Sequence, residues 1–290
     1  MRPTNPTIRH AAAIARALAA AALLAAIGSL GSARAEDPGV PILLYHRFHP
    51  TEPGSTTVTT PVFEEQLAWL AEHHYTVVRL GSVVDALRAS RELEPQTVAI
   101  TVDDGRRSQY TEMFPIIQRY HAPVTLFVYT DAISYEPDAL TWEEIGEMLK
   151  SGLVDVQSHT CSHPFFEKER ARRSAADYQS FVATELTKSK KTLEERLGRP
   201  VDLLAWPYGV FDSALEQAAA RAGYVAAFSV EDRLARAGED LFSLPRIVVS
   251  DRARGARLAA LLEPGARIDP IDPREMGISC GPRRGDAEVR

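Results

Sequence analysis

Thr97-Val98-Ala99-Ile100-Thr101-Val102-Asp103-Asp104-Gly105 is the stretch on which the fold turns. Its first six residues are apolar or β-branched, which is the composition of a buried strand. The run then breaks at two adjacent carboxylates and a glycine. In a parallel α/β fold the carboxyl ends of strands are where reacting groups collect. Adjacent carboxylates repel each other unless a cation or unlike surroundings separate their roles. An ordinary Asp-Gly turn is the competing reading of the same residues.

Outward from this strand, similar short runs recur at residues 41–45, 76–80, 124–129, 154–158, 203–206, 226–230 and 246–249. Longer helical stretches lie between them. Thr60-Pro61 opens a face of Phe63, Leu67 and Leu70, and Thr141 with Glu144 forms a capping box ahead of Ile145 and Leu149. A third helix begins near Ser174, carries Phe181, Leu186 and Leu193, and stops at Gly198. Strands alternating with helices predict an α/β chain, a parallel sheet wrapped by helices. One barrel of this length is ordinary.

The strand at 154–158 ends at His159-Thr160-Cys161-Ser162-His163-Pro164. Two imidazoles four residues apart share a face if the segment makes a helical turn, close enough to grip one metal ion. A pair of exposed loop histidines is the alternative. Taken with Asp103-Asp104, the chain offers two histidines and a carboxylate at strand ends, the ligand set of an open catalytic metal site, with one aspartate to spare.

Three motifs together, Thr101-Val102-Asp103-Asp104-Gly105, His159-Thr160-Cys161-Ser162-His163-Pro164 and Trp206-Pro207-Tyr208-Gly209, resemble the polysaccharide deacetylase (NodB-homology) domain, carbohydrate esterase family 4. The likeness spans roughly residues 40 to 250. Pro41-Ile42-Leu43-Leu44-Tyr45-His46 and Leu244-Pro245-Arg246-Ile247 are similar to the branch that contains the poly-β-1,6-N-acetylglucosamine N-deacetylases, whose motifs are circularly rearranged. No histidine follows His163, and the arginine that normally opens the third motif is replaced by Ala205-Trp206.

The resemblance implies a distorted (β/α) barrel of about seven parallel strands. It implies that Asp104, His159 and His163 hold a divalent metal, zinc by default, with cobalt, nickel or iron also suited to His and Asp donors. Asp103 would take a proton from a water acidified by that metal, and His46 would protonate the departing sugar amine. The oxyanion and substrate site would be Trp206, Pro207 and the backbone N–H of Tyr208. Arg246 is the candidate to orient Asp103, with a purely structural salt bridge as the equal alternative. Tyr45, Phe165, Phe166, Trp206 and Tyr208 form either a sugar-stacking floor or plain core.

The expected activity is hydrolysis of acetamido groups on an N-acetylated polysaccharide. The alternatives are an O-acetyl esterase acting on a polymer such as xylan, or a glycan-binding relative without catalysis. A non-haem iron oxygenase would share the ligand set but sits usually in all-β folds, unlike this alternating chain.

Arg2, Arg9 and Arg16 precede an apolar run from Ala17 to Ile27 that leads to Ala33-Arg34-Ala35, the pattern of a secretory signal over residues 1–35 with no stable membrane span after cleavage. The expected location is therefore periplasmic or secreted. Without those 35 residues and their four arginines the formal charge moves from −6 to −10, which argues against a nucleic-acid partner. Residues 36–262 form the expected domain. Residues 263–290 read as an extended tail rich in Pro, Gly and Arg. Two cysteines, Cys161 and Cys280, do not make a disulfide scaffold.

Overall fold

The computed structural model describes residues 39–263. The expected signal segment, Cys280 and all but the first residue of the expected tail lie outside the described residues. In chain order the elements are β1 (Ile42–Tyr45), β2 (Arg47–His49), β3 (Thr57–Thr59), α1 (Thr60–Glu72), β4 (Thr76–Val78), α2 (Leu80–Arg88) and β5 (Thr97–Asp103). A π-helical turn (Gln109–Met113) then runs into α3 (Phe114–Tyr120), β6 (Val124–Val128), α4 (Trp142–Lys150), β7 (Val154–Ser158), α5 (Phe166–Arg172) and α6 (Ala175–Leu197). The chain continues through β8 (Leu203–Ala205), α7 (Ser213–Arg221), β9 (Ala226–Phe228), β10 (Ile247–Val248) and α8 (Ala256–Leu262).

Seven strands follow one another in the order β10-β1-β5-β6-β7-β8-β9, every pair parallel, and β4 adds an eighth beside the start of β5. The two ends of this curled sheet approach each other through a parallel bridge from Phe228 to Leu244. This is the distorted barrel that the strand pattern and the resemblance imply.

Side chains alternate across the curl, as strand geometry requires. Ile42, Ala99, Phe127, Ala205 and Phe228 fill one apolar cluster together with Leu80, Val83, Val84 and Leu87 of α2. Their sequence neighbours Leu43, Ile100, Leu126, Leu204 and Ala227 face the other cluster, where Phe63 and Leu67 of α1, Ile145 of α4 and Leu186 and Leu193 of α6 cover the sheet. Burying one such Leu, Ile or Phe contributes about 1.5–3 kcal/mol. Thr101 and Asp103 continue the Ala99 face of β5 by the same period of two, so the last residue of the strand is carried inward.

The helix signals have local causes. Thr141 accepts from the Glu144 N–H at 3.1 Å while the Glu144 carboxylate accepts from the Thr141 N–H at 2.9 Å, the reciprocal capping box. Ser174 caps α6, and Gly198 ends it in the left-handed region at φ 64°. The short parallel pair β2–β3 and the π-helical turn were not foreseen from the sequence.

Candidate active site

Asp103 ends β5 with its side chain 3% exposed, and Arg246, which directly precedes β10, has no exposed side-chain surface. The guanidinium donates both ways, Nη1 to Oδ1 and Nη2 to Oδ2, each at 2.7 Å. Nε donates to the Ser229 carbonyl at 3.2 Å, and the group lies over the Phe127 ring. Burial pushes the Asp103 carboxyl up, but the Arg246 charge, then His159 and the Arg246 hydrogen bonds, outweigh it and hold the carboxyl at about 2. Asp103 is thus an ionised carboxylate aimed by a planar fork.

Asp104 turns the chain sharply at φ 77°. Its Oδ1 lies 3.8 Å from His159 Nε2 and 3.7 Å from His163 Nε2. The Nδ1 of His159 is 2.8 Å from the Ala205 carbonyl. A carbonyl only accepts, so Nδ1 carries the proton and Nε2 presents a lone pair. Burial, followed by the His159 charge, lowers His163 to about 4, which leaves that ring neutral near pH 7. Burial raises Asp104, while His46, His159 and His163 more than reverse it and leave its carboxyl below its ordinary range. One carboxylate and two imidazoles have their donor atoms within 4.8 Å of one another, and this donor set and spacing fit a divalent ion.

The helical turn expected between the two histidines does not form. Thr160 and His163 sit at φ 70° and 54°, and Pro164 disfavours helical backbone at His163. The N–H groups of Cys161 and Ser162 go to the Glu185 carboxylate and not to an earlier carbonyl. The imidazoles converge through this loop, with ring centroids 4.6 Å apart.

A cleft of about 470 Å3 opens over the group, and His46, Arg47, Asp103, Asp104, Arg106, Tyr129, Glu136, His159, His163, Trp206 and Tyr208 contribute to its lining. His46 follows β1 directly; burial lowers its pKa, against the pull of Asp104 and Asp103. Pro207 is buried and starts a tight turn in which Tyr208 takes φ 59°. Five aromatics do not make a floor: Tyr45, Phe166 and Trp206 are 1%, 1% and 0% exposed. The Trp206 indole N–H is spent on the Phe242 carbonyl at 2.8 Å. Tyr208, 38% exposed, packs its ring 4.6 Å from His163 and 5.2 Å from the partly exposed Phe165.

Residues 90–227 match the family model described as polysaccharide deacetylase. Over that span the chain is similar to a polysaccharide deacetylase domain. It is 27% identical over 228 residues to a protein of Escherichia coli (strain K12) named poly-beta-1,6-N-acetyl-D-glucosamine N-deacetylase, covering 67% of this chain and 34% of that one. The chain thus spans about a third of that relative. Against a protein of the same name from Staphylococcus epidermidis it is 26% identical over 201 residues, 68% of this chain and 69% of the relative. Among solved structures, the Streptococcus pyogenes deacetylase PplD in complex with acetate superposes with TM-score 0.70 at 28% identity, covering 78% of this chain and all of that one. IcaB from Ammonifex degensii shares the fold, with TM-score 0.67 at 24% identity over 78% of this chain and 97% of that one.

The cleft holds further residues that the motifs did not disclose. Arg106 Nε lies 3.6 Å from Asp104 Oδ2, and its Nη1 is 3.7 Å from Glu136 and 3.8 Å from Asp138. Gln109, fully buried, donates to the carbonyls of Asp103 at 2.6 Å and His46 at 3.1 Å, which ties the ends of β5 and β1 together. Gln109 opens the π-helical turn, a rare feature found often at functional sites. Its amide nature gave no signal in the sequence. Arg106 follows the Asp-Asp-Gly motif directly and was legible only as a charge.

Proposed function

We propose that this deacetylase domain is a metal-dependent hydrolase of acetamido groups on an N-acetylated, poly-N-acetylglucosamine-like polysaccharide, releasing acetate. The observation that carries the reading is the pairing of two unlike carboxylates: Asp103 forked on Arg246, and Asp104 grouped with the imidazoles of His159 and His163. The names of the Escherichia coli and Staphylococcus epidermidis relatives support the choice of polymer.

In this reading Asp104, His159 and His163 hold the ion, with zinc the default. When bound, such an ion acidifies a water and polarises the acetyl carbonyl. Asp103, kept anionic and aligned by Arg246, accepts the proton of the attacking water. His159 Nε2 lies 3.7 Å from Asp103 Oδ2, so the base and the ligand group address the same point. His46, on the cleft lining directly after β1, donates a proton to the departing amine. The backbone N–H of Tyr208, on the cleft lining, steadies the oxyanion, while Trp206 and Pro207 shape the wall behind it.

The chain is organised in this proposal as an export signal (1–35), the deacetylase domain (36–262) and an extended tail (263–290), with a periplasmic or secreted destination. No helix of the described residues is long and apolar enough to cross a membrane.

The test is acetate release by the purified protein from poly-β-1,6-N-acetylglucosamine and, separately, from O-acetylated xylan, each with zinc and with a chelator. Acetate from the N-acetylated polymer that disappears with the chelator is the expected result. Release from xylan alone would assign an O-acetyl esterase, and no release from either would favour a glycan-binding role.

A further inference from the structure

Helix α6 turns Tyr178, Val182, Glu185, Leu186, Ser189 and Leu193 into the protein. The helical period reserves such a stripe for apolar residues. A carboxylate placed there loses its hydration, a cost that hydrogen bonds must offset. Glu185 is 5% exposed, and both of its oxygens are engaged. Oε2 accepts from the N–H of Cys161 at 3.0 Å and of Ser162 at 2.9 Å, and Oε1 accepts from Ser162 Oγ at 2.8 Å. All three donors belong to the segment between His159 and His163.

That segment does not hold its shape unaided. Thr160 and His163 both occupy the left-handed region, which costs a non-glycine residue about 1 kcal/mol or more. Its remaining ties are the Thr160 and Cys161 carbonyls, which accept from Thr130 N at 3.2 Å and Asp131 N at 2.9 Å, and the short local bonds of Thr160 N to Ser158 Oγ and His163 N to Thr160 Oγ1, both 3.2 Å. Glu185 is the charged group among these ties, and it reaches the loop from a different element 23 and 24 positions away.

We propose that Glu185 is a positioning residue for the metal centre: by binding the loop's amides it keeps the imidazoles of His159 and His163 converged on one point. The inference rests on the reading of Asp104, His159 and His163 as metal ligands. Without the carboxylate, two amide N–H groups lose their acceptor, and the left-handed turns are left to the backbone and hydroxyl ties alone.

The experiment measures zinc dissociation constants by competition with a chromophoric chelator, without substrate, for wild type, Glu185→Leu and Glu185→Gln. Leucine completes the apolar stripe and so preserves the helix and core while removing both acceptors. Glutamine keeps a carbonyl oxygen for the two amides and an NH2 that Ser162 Oγ accepts. Glu185→Leu is expected to weaken zinc binding at least about tenfold and to alter the visible absorption of the cobalt-loaded protein, with Glu185→Gln restoring most of both. A folded Glu185→Leu protein that binds zinc within about twofold of wild type, with an unchanged cobalt spectrum, overturns the proposal. If Glu185→Leu does not fold, Ser162→Ala decides: weaker zinc binding supports the assignment and an unchanged constant overturns it. Absence of zinc binding by the wild type would instead sink the metal-centre reading itself, and this inference with it.

Discussion

Asp103 is pulled in opposite directions: the apolar interior favours its neutral acid, and the Arg246 fork favours the anion. The fork wins, so the carboxyl falls from its ordinary 3.8 to about 2. A depressed carboxyl contributes stability that is complete above its unfolded value and lost as pH falls through the folded one. The window for Asp103 therefore runs from about pH 4 down to about pH 2, and the contribution is roughly 2 kcal/mol. Urea unfolding as a function of pH should show this loss in the wild type and a shallower one in Asp103→Asn. The same variant should retain metal, measured by elemental stoichiometry, while acetate release falls at least about a hundredfold; turnover at the wild-type rate would reassign the base. Arg246→Met should destabilise the protein by about 3–5 kcal/mol, because it strands a buried charge. The acid pair and the histidine pair were legible in the sequence because each is a local motif at a strand end. The partners that set their chemistry were less so. Arg246 entered only as one of two equal readings, and Glu185 and Gln109 did not enter at all, because their contacts close across the fold. Glu185 did leave a trace, a charge in phase with Val182, Leu186 and Leu193 on an otherwise apolar helical face.

At the level of elements, the turn after β5 leaves its backbone little freedom. Gly105 holds φ 69°, and a Cβ there would stand 2.9 Å from Ile133 Cδ1 and 3.0 Å from Val128 Cγ1. Gly105→Ala should therefore cost about 1–3 kcal/mol in thermal unfolding, and by displacing Asp104 should also weaken zinc binding; an unchanged melting temperature would show that β6 can yield. All eight strands of the main sheet were readable because each is a short apolar run bounded by turn residues. Of the three helices assigned in the sequence, α4 and α6 were readable from their caps, which act within four residues, and α1 from Pro61 in its first turn, without a side-chain cap. The pair β2–β3 was not, since three residues are too few for a period to show. Whether His159 to His163 makes a helical turn or a loop stayed open in the sequence, because the amides that decide it bond to a side chain on α6, a tertiary choice that overrides local preference.

Considered whole, the domain owes its cohesion to two apolar clusters on the faces of the sheet, and the proposed metal site adds to a fold that stands without it. Chelation should abolish turnover yet leave circular dichroism native, and zinc at a hundred times its dissociation constant should raise stability by about 2.7 kcal/mol. A chain that unfolds on chelation would make the ion structural. The sheet order joins β10 to β1, and Arg246 meets Asp103 across 143 positions of sequence. The counter-ion of Asp103 therefore comes into place only when the final strand docks. Before that moment the carboxylate has no guanidinium to aim it. A nascent or truncated product lacking Arg246 and β10 would carry Asp103, Asp104, His159 and His163 without the fork that aligns Asp103. In the proposed mechanism, alignment of the base is in this way tied to completion of the barrel.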